Sequence, residues 1–147
     1  MARRDSDALL TEPSAGKEAP LVLFVDDSPD ARVTYGEYLF GAGYRVAVAA
    51  DGNEALALAM SVIPDLVLLD LEMPGLDGWE AARLLKSYWH TCHVPIVALS
   101  GHHDTASVTR AISAGCSRFV TKPCASEELE RIIRLTLRER AQQHGVV

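Results

Sequence analysis

The chain has 147 residues, a formal charge of −6 and a pI near 5.3, enough for one domain that buries most of its apolar surface. The acidic balance disfavours the sequence-independent attraction to phosphates on which nucleic-acid binders rely, so no direct nucleic-acid contact is expected. No apolar run approaches the roughly 18 to 20 residues of a bilayer span, and the first residues lack a signal-peptide core, which gives the expectation of a cytoplasmic chain without membrane insertion.

Residues 1 to 19 mix charge, Ser, Pro and Gly without periodicity and read as a flexible tail. From Pro20 the pattern alternates. Leu21 to Val25 is an apolar strand, Pro29 to Phe40 a helix, Arg45 to Ala49 a strand and Glu54 to Val62 a helix. Leu66 to Leu69, Val94 to Leu99 and Arg118 to Thr121 are three further strands, separated by helices over Gly78 to Tyr88 and Thr105 to Ala114 and followed by a last helix from Glu127 to about Arg140. Strands alternating with helices in this way define an α/β, doubly wound parallel sheet. The LVLL strand is apolar without alternation, as expected when helices cover both faces of a sheet.

Three helix starts have a local cause. Ser28 before Pro29 is an N-cap with proline at the first helical position, where its missing donor is harmless. Asp51 with Glu54, and Asp77 with Glu80, have the spacing of a capping box with Asp in place of the usual hydroxyl residue. In the last helix Leu129, Ile132, Ile133, Thr136 and Leu137 share one face. Glu127 with Arg131 and Glu130 with Arg134 have the spacing to pair outside it. Tyr35, Tyr38 and Leu39 in the first helix read mainly as core. Cys92, Cys116 and Cys124 are odd in number and form no C-x-x-C pair, so free thiols are expected, and His90, Cys92 and His93 read as a solvated turn rather than a metal site.

The chemistry lies at strand ends. Asp26 and Asp27 follow the first strand, Asp70 the third, Ser100 the fourth and Lys122 the fifth. In an open α/β sheet these side chains emerge in the crevice beyond the carboxyl ends of the strands, where ligands bind. Like-charged carboxylates about 4 Å apart repel by roughly 4 kcal/mol at an effective dielectric near 20. Such a cluster calls for a cation, and a few oxygen ligands with open positions suit Mg2+. A carboxylate so placed is also a nucleophile able to form an aspartyl phosphate. A lysine and a hydroxyl nearby are the groups that phosphoryl transfer needs to neutralise and position oxygens.

The segments VLFVDDSPD, LVLLDLEMPGLDGWE, VPIVALSG and RFVTKP resemble, in order and spacing, the hallmark segments of the response-regulator receiver domain of two-component and phosphorelay signalling. The resemblance covers about residues 20 to 141 and leaves residues 142 to 147 as a short tail, so a stand-alone receiver is expected. It implies the flavodoxin-like strand order 2-1-3-4-5. It also implies that Asp70 accepts a phosphoryl group from a phosphohistidine on a sensor histidine kinase or a histidine phosphotransfer protein.

By the same resemblance Mg2+, with Mn2+ as a substitute, is held by Asp70, by Asp27 directly, by Asp26 through water and by the backbone carbonyl of Glu72. Lys122 is the lysine of the motif. Ser100 is the switch hydroxyl and Phe119 the switch aromatic, without the hydroxyl of the tyrosine common there. Glu72 and His102 fall where the family tunes phosphoryl lifetime, and Glu72 is expected to bias hydrolysis. The function implied is a phosphorylation-activated signalling switch, not an enzyme beyond promoting its own phosphoryl transfer and slow dephosphorylation. It would act on a downstream protein target as a monomer or weak dimer.

Two alternatives stand beside this. One is a receiver whose partner binding ignores phosphorylation. The other is an aspartate-nucleophile phosphohydrolase with Glu72, two residues after Asp70, as acid/base; the Asp26–Asp27 pair and the Lys122–Pro123 sequence weigh against it.

Overall fold

A computed structural model describes residues 9–10 and 18–143. Its elements in chain order are β1 (Leu9–Leu10), β2 (Leu21–Val25), α1 (Pro29–Gly41), β3 (Arg45–Ala49), α2 (Gly52–Val62), β4 (Leu66–Asp70), α3 (Gly78–Ser87), β5 (Ile96–Ser100), α4 (Thr105–Ser113), β6 (Arg118–Thr121) and α5 (Ser126–Gln143). The sheet order is β1-β3-β2-β4-β5-β6. Counted without β1, the parallel strands run 2-1-3-4-5, the expected flavodoxin-like order.

Leu9–Leu10 departs from the tail expected over residues 1 to 19. It pairs antiparallel with β3, Leu9 opposite Ala47 and Leu10 opposite Val46. The outer edge of β3 offers unpaired backbone donors and acceptors, which a short segment can cover. Two residues are too few to show a strand period in sequence. Gln142 and Gln143, expected to open the C-terminal tail, instead continue α5, and of the expected tails residues 1–8, 11–17 and 144–147 lie outside the described residues.

The sheet is buried on both faces because its strands send alternate side chains each way. From β2, Leu21, Leu23 and Val25 pack with Ala55 and Ala59 of α2, Ala81, Ala82 and Leu85 of α3, and Ala111 of α4. Val22 and Phe24 point to the other side, with Leu39 of α1 and Leu129 and Ile133 of α5. The helix residues on the first face are mainly alanines, and those on the second are leucine and isoleucine. In β4 Val67 and Leu69 take the first face and Leu66 and Leu68 the second. An all-apolar LVLL strand is the result.

Helix starts follow their caps. Ser28 Oγ accepts from the Ala31 N–H, and Asp51 and Asp77 accept from the N–H groups of Glu54 and Glu80. The Asp51 box is nearly closed, since the Glu54 carboxylate accepts from the N–H of Ala50, one residue before the cap. The Asp77 box is half formed, because Glu80 turns instead to Arg83. Asp104 caps α4 through the Ser107 N–H, a cap not anticipated from the sequence. Before β5, Pro95 lacks a donor and Val94 N–H closes a turn on Thr91, so the strand begins at Ile96 rather than Val94. In α5 Glu130 pairs with Arg134 as expected, whereas Arg131 takes Glu128 in a two-pronged contact in place of Glu127. Leu39 is buried and Tyr35 half-buried, but Tyr38 faces solvent and is not core.

Candidate functional site

Register brings the candidate residues to one edge. Val25 lies opposite Leu69, Asp70 opposite Leu99 and Ser100 opposite Thr121. Asp26 therefore leaves β2 beside Asp70, and Lys122 leaves β6 one residue beyond Ser100. Backbone bonds extend the pairing past the strand ends: Asp26 N–H to Ala49, Leu71 N–H to Leu99 and Lys122 N–H to Ser100.

Asp26, Asp27 and Asp70 each offer a carboxylate oxygen, all within 4.8 Å of one another. Asp26 and Asp70 are buried and Asp27 is exposed, so the group forms the floor and rim of an open cleft. Lys122 Nζ lies 3.1 Å from Asp70 Oδ1 and 3.9 Å from Asp26 Oδ2. Asp26 is further fixed by α1: the Ser28 N–H donates to its carboxylate at 2.9 Å, and Arg32 Nη1 donates to its carbonyl at 2.7 Å. The Glu72 N–H donates to Asp70 Oδ1 at 3.1 Å.

Burial and the neighbouring Asp26 charge push the Asp70 carboxyl up to about 6, against the pull of Lys122 and the Glu72 N–H. Burial works against the Lys122 ammonium, but Asp70, Asp26 and Glu72 outweigh it and hold its pKa above the ordinary lysine value. Three aspartates face one lysine in the cleft. The excess negative charge and the all-oxygen donor set fit a small hard divalent cation.

Glu72 behaves differently from the aspartates. Its carboxylate turns to the other side of the cleft, where Ser100 Oγ donates to it, the Gly101 N–H donates at 3.0 Å, and His102 Nδ1 lies 3.3 Å away. Burial raises the Glu72 pKa, but these contacts prevail and leave it below the usual carboxylate value. Ser100, fully buried, also accepts from the His102 N–H at 2.9 Å. Its hydroxyl is thus committed to Glu72 and not to Asp70. Phe119 is half-buried against the core on the α2–α4 face of the sheet.

The structure brings Asp26, Asp27, Asp70 and Lys122 together, as the strand-end pattern led one to expect, but the Ser100–Glu72 bond and the Arg32 bond to the Asp26 carbonyl were not anticipated. A glutamate two residues past one strand end is a weak sign of a contact with a residue ending the next strand. Among the described residues the three aspartates are the only metal-capable group, and His90, Cys92 and His93 form none.

The chain belongs to the response regulator receiver domain family, whose profile matches residues 22–134. It is 38% identical over 117 residues to the DNA-binding response regulator MtrA of Mycolicibacterium smegmatis, covering 80% of this chain and 50% of that protein. It is 34% identical over 119 residues to the transcriptional regulatory protein AfsQ1 of Streptomyces coelicolor, covering 81% and 52%. The chain spans about half the length of these relatives.

Among solved structures, chemotaxis protein CheY4 of Vibrio cholerae aligns with a TM-score of 0.77 at 30% identity, covering 80% of this chain and 98% of that one. The receiver domain of sensor histidine kinase PA1611 from Pseudomonas aeruginosa, which has a magnesium ion in its active-site cleft, aligns with a TM-score of 0.75 at 30% identity, covering 81% and 98%.

These relatives correct one expectation. The absence of nucleic-acid contact was inferred from the net charge, yet proteins similar to this chain are named as DNA-binding and transcriptional regulators. Net charge averages over the residues it counts, and that average does not report on a local surface or on the remainder of a chain twice as long. Among the described residues no helix is long and apolar enough to cross a membrane.

Proposed function

We propose that the protein is a phosphorylation-operated signalling switch in which Asp70 accepts a phosphoryl group from a phosphohistidine on a sensor kinase or histidine phosphotransfer protein. The observation that carries this reading is the buried Asp70 carboxylate, with Asp26 and Asp27 beside it and the Lys122 ammonium 3.1 Å away. In the transfer an Asp70 oxygen forms a bond to phosphorus as the P–N bond to imidazole breaks, and the imidazole nitrogen keeps the electron pair. Asp26, Asp27, Asp70 and the Glu72 carbonyl would hold Mg2+, or Mn2+ in its place, which when bound neutralises phosphoryl oxygens and offsets carboxylate repulsion.

Lys122 pairs with one phosphoryl oxygen as a point charge. Ser100 leaves Glu72 and donates to another oxygen. Phe119 then moves toward the space Ser100 vacates and alters the face built by α4, β6 and α5, where a downstream partner reads the change. The proposed exchange takes place in the cytoplasm. The names of the relatives favour control of transcription as the output.

Intact-mass analysis after incubation with acetyl phosphate and Mg2+ tests the reading. One phosphoryl adduct is expected, lost without metal and lost in Asp70→Asn. Folded protein that neither gains the adduct nor binds beryllofluoride would instead make this a phosphorylation-independent interaction module.

A further inference from the structure

We propose that Tyr35 is a positioning residue for Lys122, acting through a hydrogen bond from its hydroxyl to the backbone carbonyl of Cys124. The bond is 2.6 Å long and joins residues 89 apart in the chain, from the middle of α1 to the loop between β6 and α5. That loop, Lys122–Pro123–Cys124–Ala125, carries the ammonium that meets Asp70. It is tied at its start by Lys122 N–H to Ser100 and at its end by Leu129 N–H to Ala125. Between these ties the Tyr35 hydroxyl holds it from outside.

Tyr35 suits this task because its ring is itself fixed. It packs edge-on to Phe24, with centroids 5.7 Å apart and planes at 89°, and Phe24 is fully buried in β2. The hydroxyl therefore projects from a rigid platform, and a hydrogen bond from such a platform defines a position rather than a range. The same helix fixes Asp26 through Ser28 and Arg32. α1 thus sets the spacing between a carboxylate on β2 and the lysine after β6, two groups that act on one phosphoryl group. Misplacement by about an ångström is costly where catalysis depends on alignment.

This inference rests on the phosphoacceptor reading, and the experiment separates the two. Beryllofluoride affinity in Mg2+ is measured for the full chain, Tyr35→Phe, Lys122→Ala and the double variant. Tyr35→Phe keeps the ring and removes the one hydrogen bond, so a loss of about threefold to tenfold is expected. Mg2+ affinity should stay within about twofold, since the Ser28 and Arg32 bonds to Asp26 remain. In the Lys122→Ala background Tyr35→Phe should cost nothing further, because its effect passes through the lysine. An equal loss in both backgrounds, or no loss in wild type, overturns the inference while the phosphoacceptor reading stands. Wild-type protein that binds no beryllofluoride overturns both.

Discussion

Asp70 is 1% exposed and shares its surroundings with Asp26 and Lys122, and the balance among the three makes its charge costly when no cation is bound. The folded carboxyl keeps its proton up to about 6, whereas an unfolded aspartate releases it near 4. Asp70 therefore lowers stability progressively as pH rises through that window, by up to about 3 kcal/mol above it and by nothing below it. In metal-free buffer Asp70→Asn should melt higher than wild type at pH 7.5, with the difference shrinking toward pH 4; a lower melting temperature at pH 7.5 would show that the Lys122 pair outweighs burial. Ser100 offers a second prediction. Its hydroxyl must leave Glu72 before it can donate to a phosphoryl oxygen, and Glu72→Gln replaces a charged acceptor with a weaker neutral one. Beryllofluoride should bind Glu72→Gln about threefold to tenfold more tightly, and an unchanged affinity would mean that this bond does not oppose the switch.

At the scale of elements, the site depends on how α3 seats on the end of β4. Gly78, the first residue of α3, gives its N–H to Leu71, and a Cβ there would lie 2.4 Å from the Asp70 carbonyl and 2.5 Å from Leu71 Cα. Backbone atoms cannot yield as a side-chain tip can. Gly78→Ala should therefore destabilise the protein by about 1–3 kcal/mol and also weaken Mg2+ binding, because the clash is with the backbone of the strand end that carries Asp70. Urea unfolding and a Mg2+ titration check this pair of effects, and a variant as stable as wild type would mean that α3 seats with slack. The caps show the limits of local pattern. Asp51 and Asp77 both satisfy the first half of a capping box, but Glu80 has Arg83 within reach and Glu54 does not.

For the whole molecule, stability is expected to grade from the centre of the sheet outward. β4 has strand partners on both edges and helices over both faces, whereas β1 is two residues long on an edge. Hydrogen exchange should be slowest in β2 and β4, whose amides open only with global unfolding, and fastest in β1, with β6 between. Exchange in β4 as fast as in β1 would contradict a single core shared across the sheet. The acceptor site follows this order, since Asp26 and Asp70 stand at the ends of β2 and β4 in the middle of the sheet, while Ser100 comes from β5, next to the edge strand, and Lys122 from the loop after β6, the edge strand itself. The carboxylates lie toward the middle of the sheet, and Ser100 and Phe119, the groups proposed to move, lie toward its edge.

The sequence by itself determined the five parallel strands, their order by family resemblance and the polar residues that follow their ends, because apolar runs, caps and strand-end polar groups are local patterns written in consecutive residues. Only the tertiary structure decided the partnerships of long reach. Ser100 with Glu72, Tyr35 with Cys124, Arg32 with the Asp26 carbonyl and Leu9–Leu10 with β3 all join residues brought together by the packing of helices and strands. Which of several compatible donors and acceptors meet depends on distances fixed by the whole fold, and no spacing along the chain records those distances.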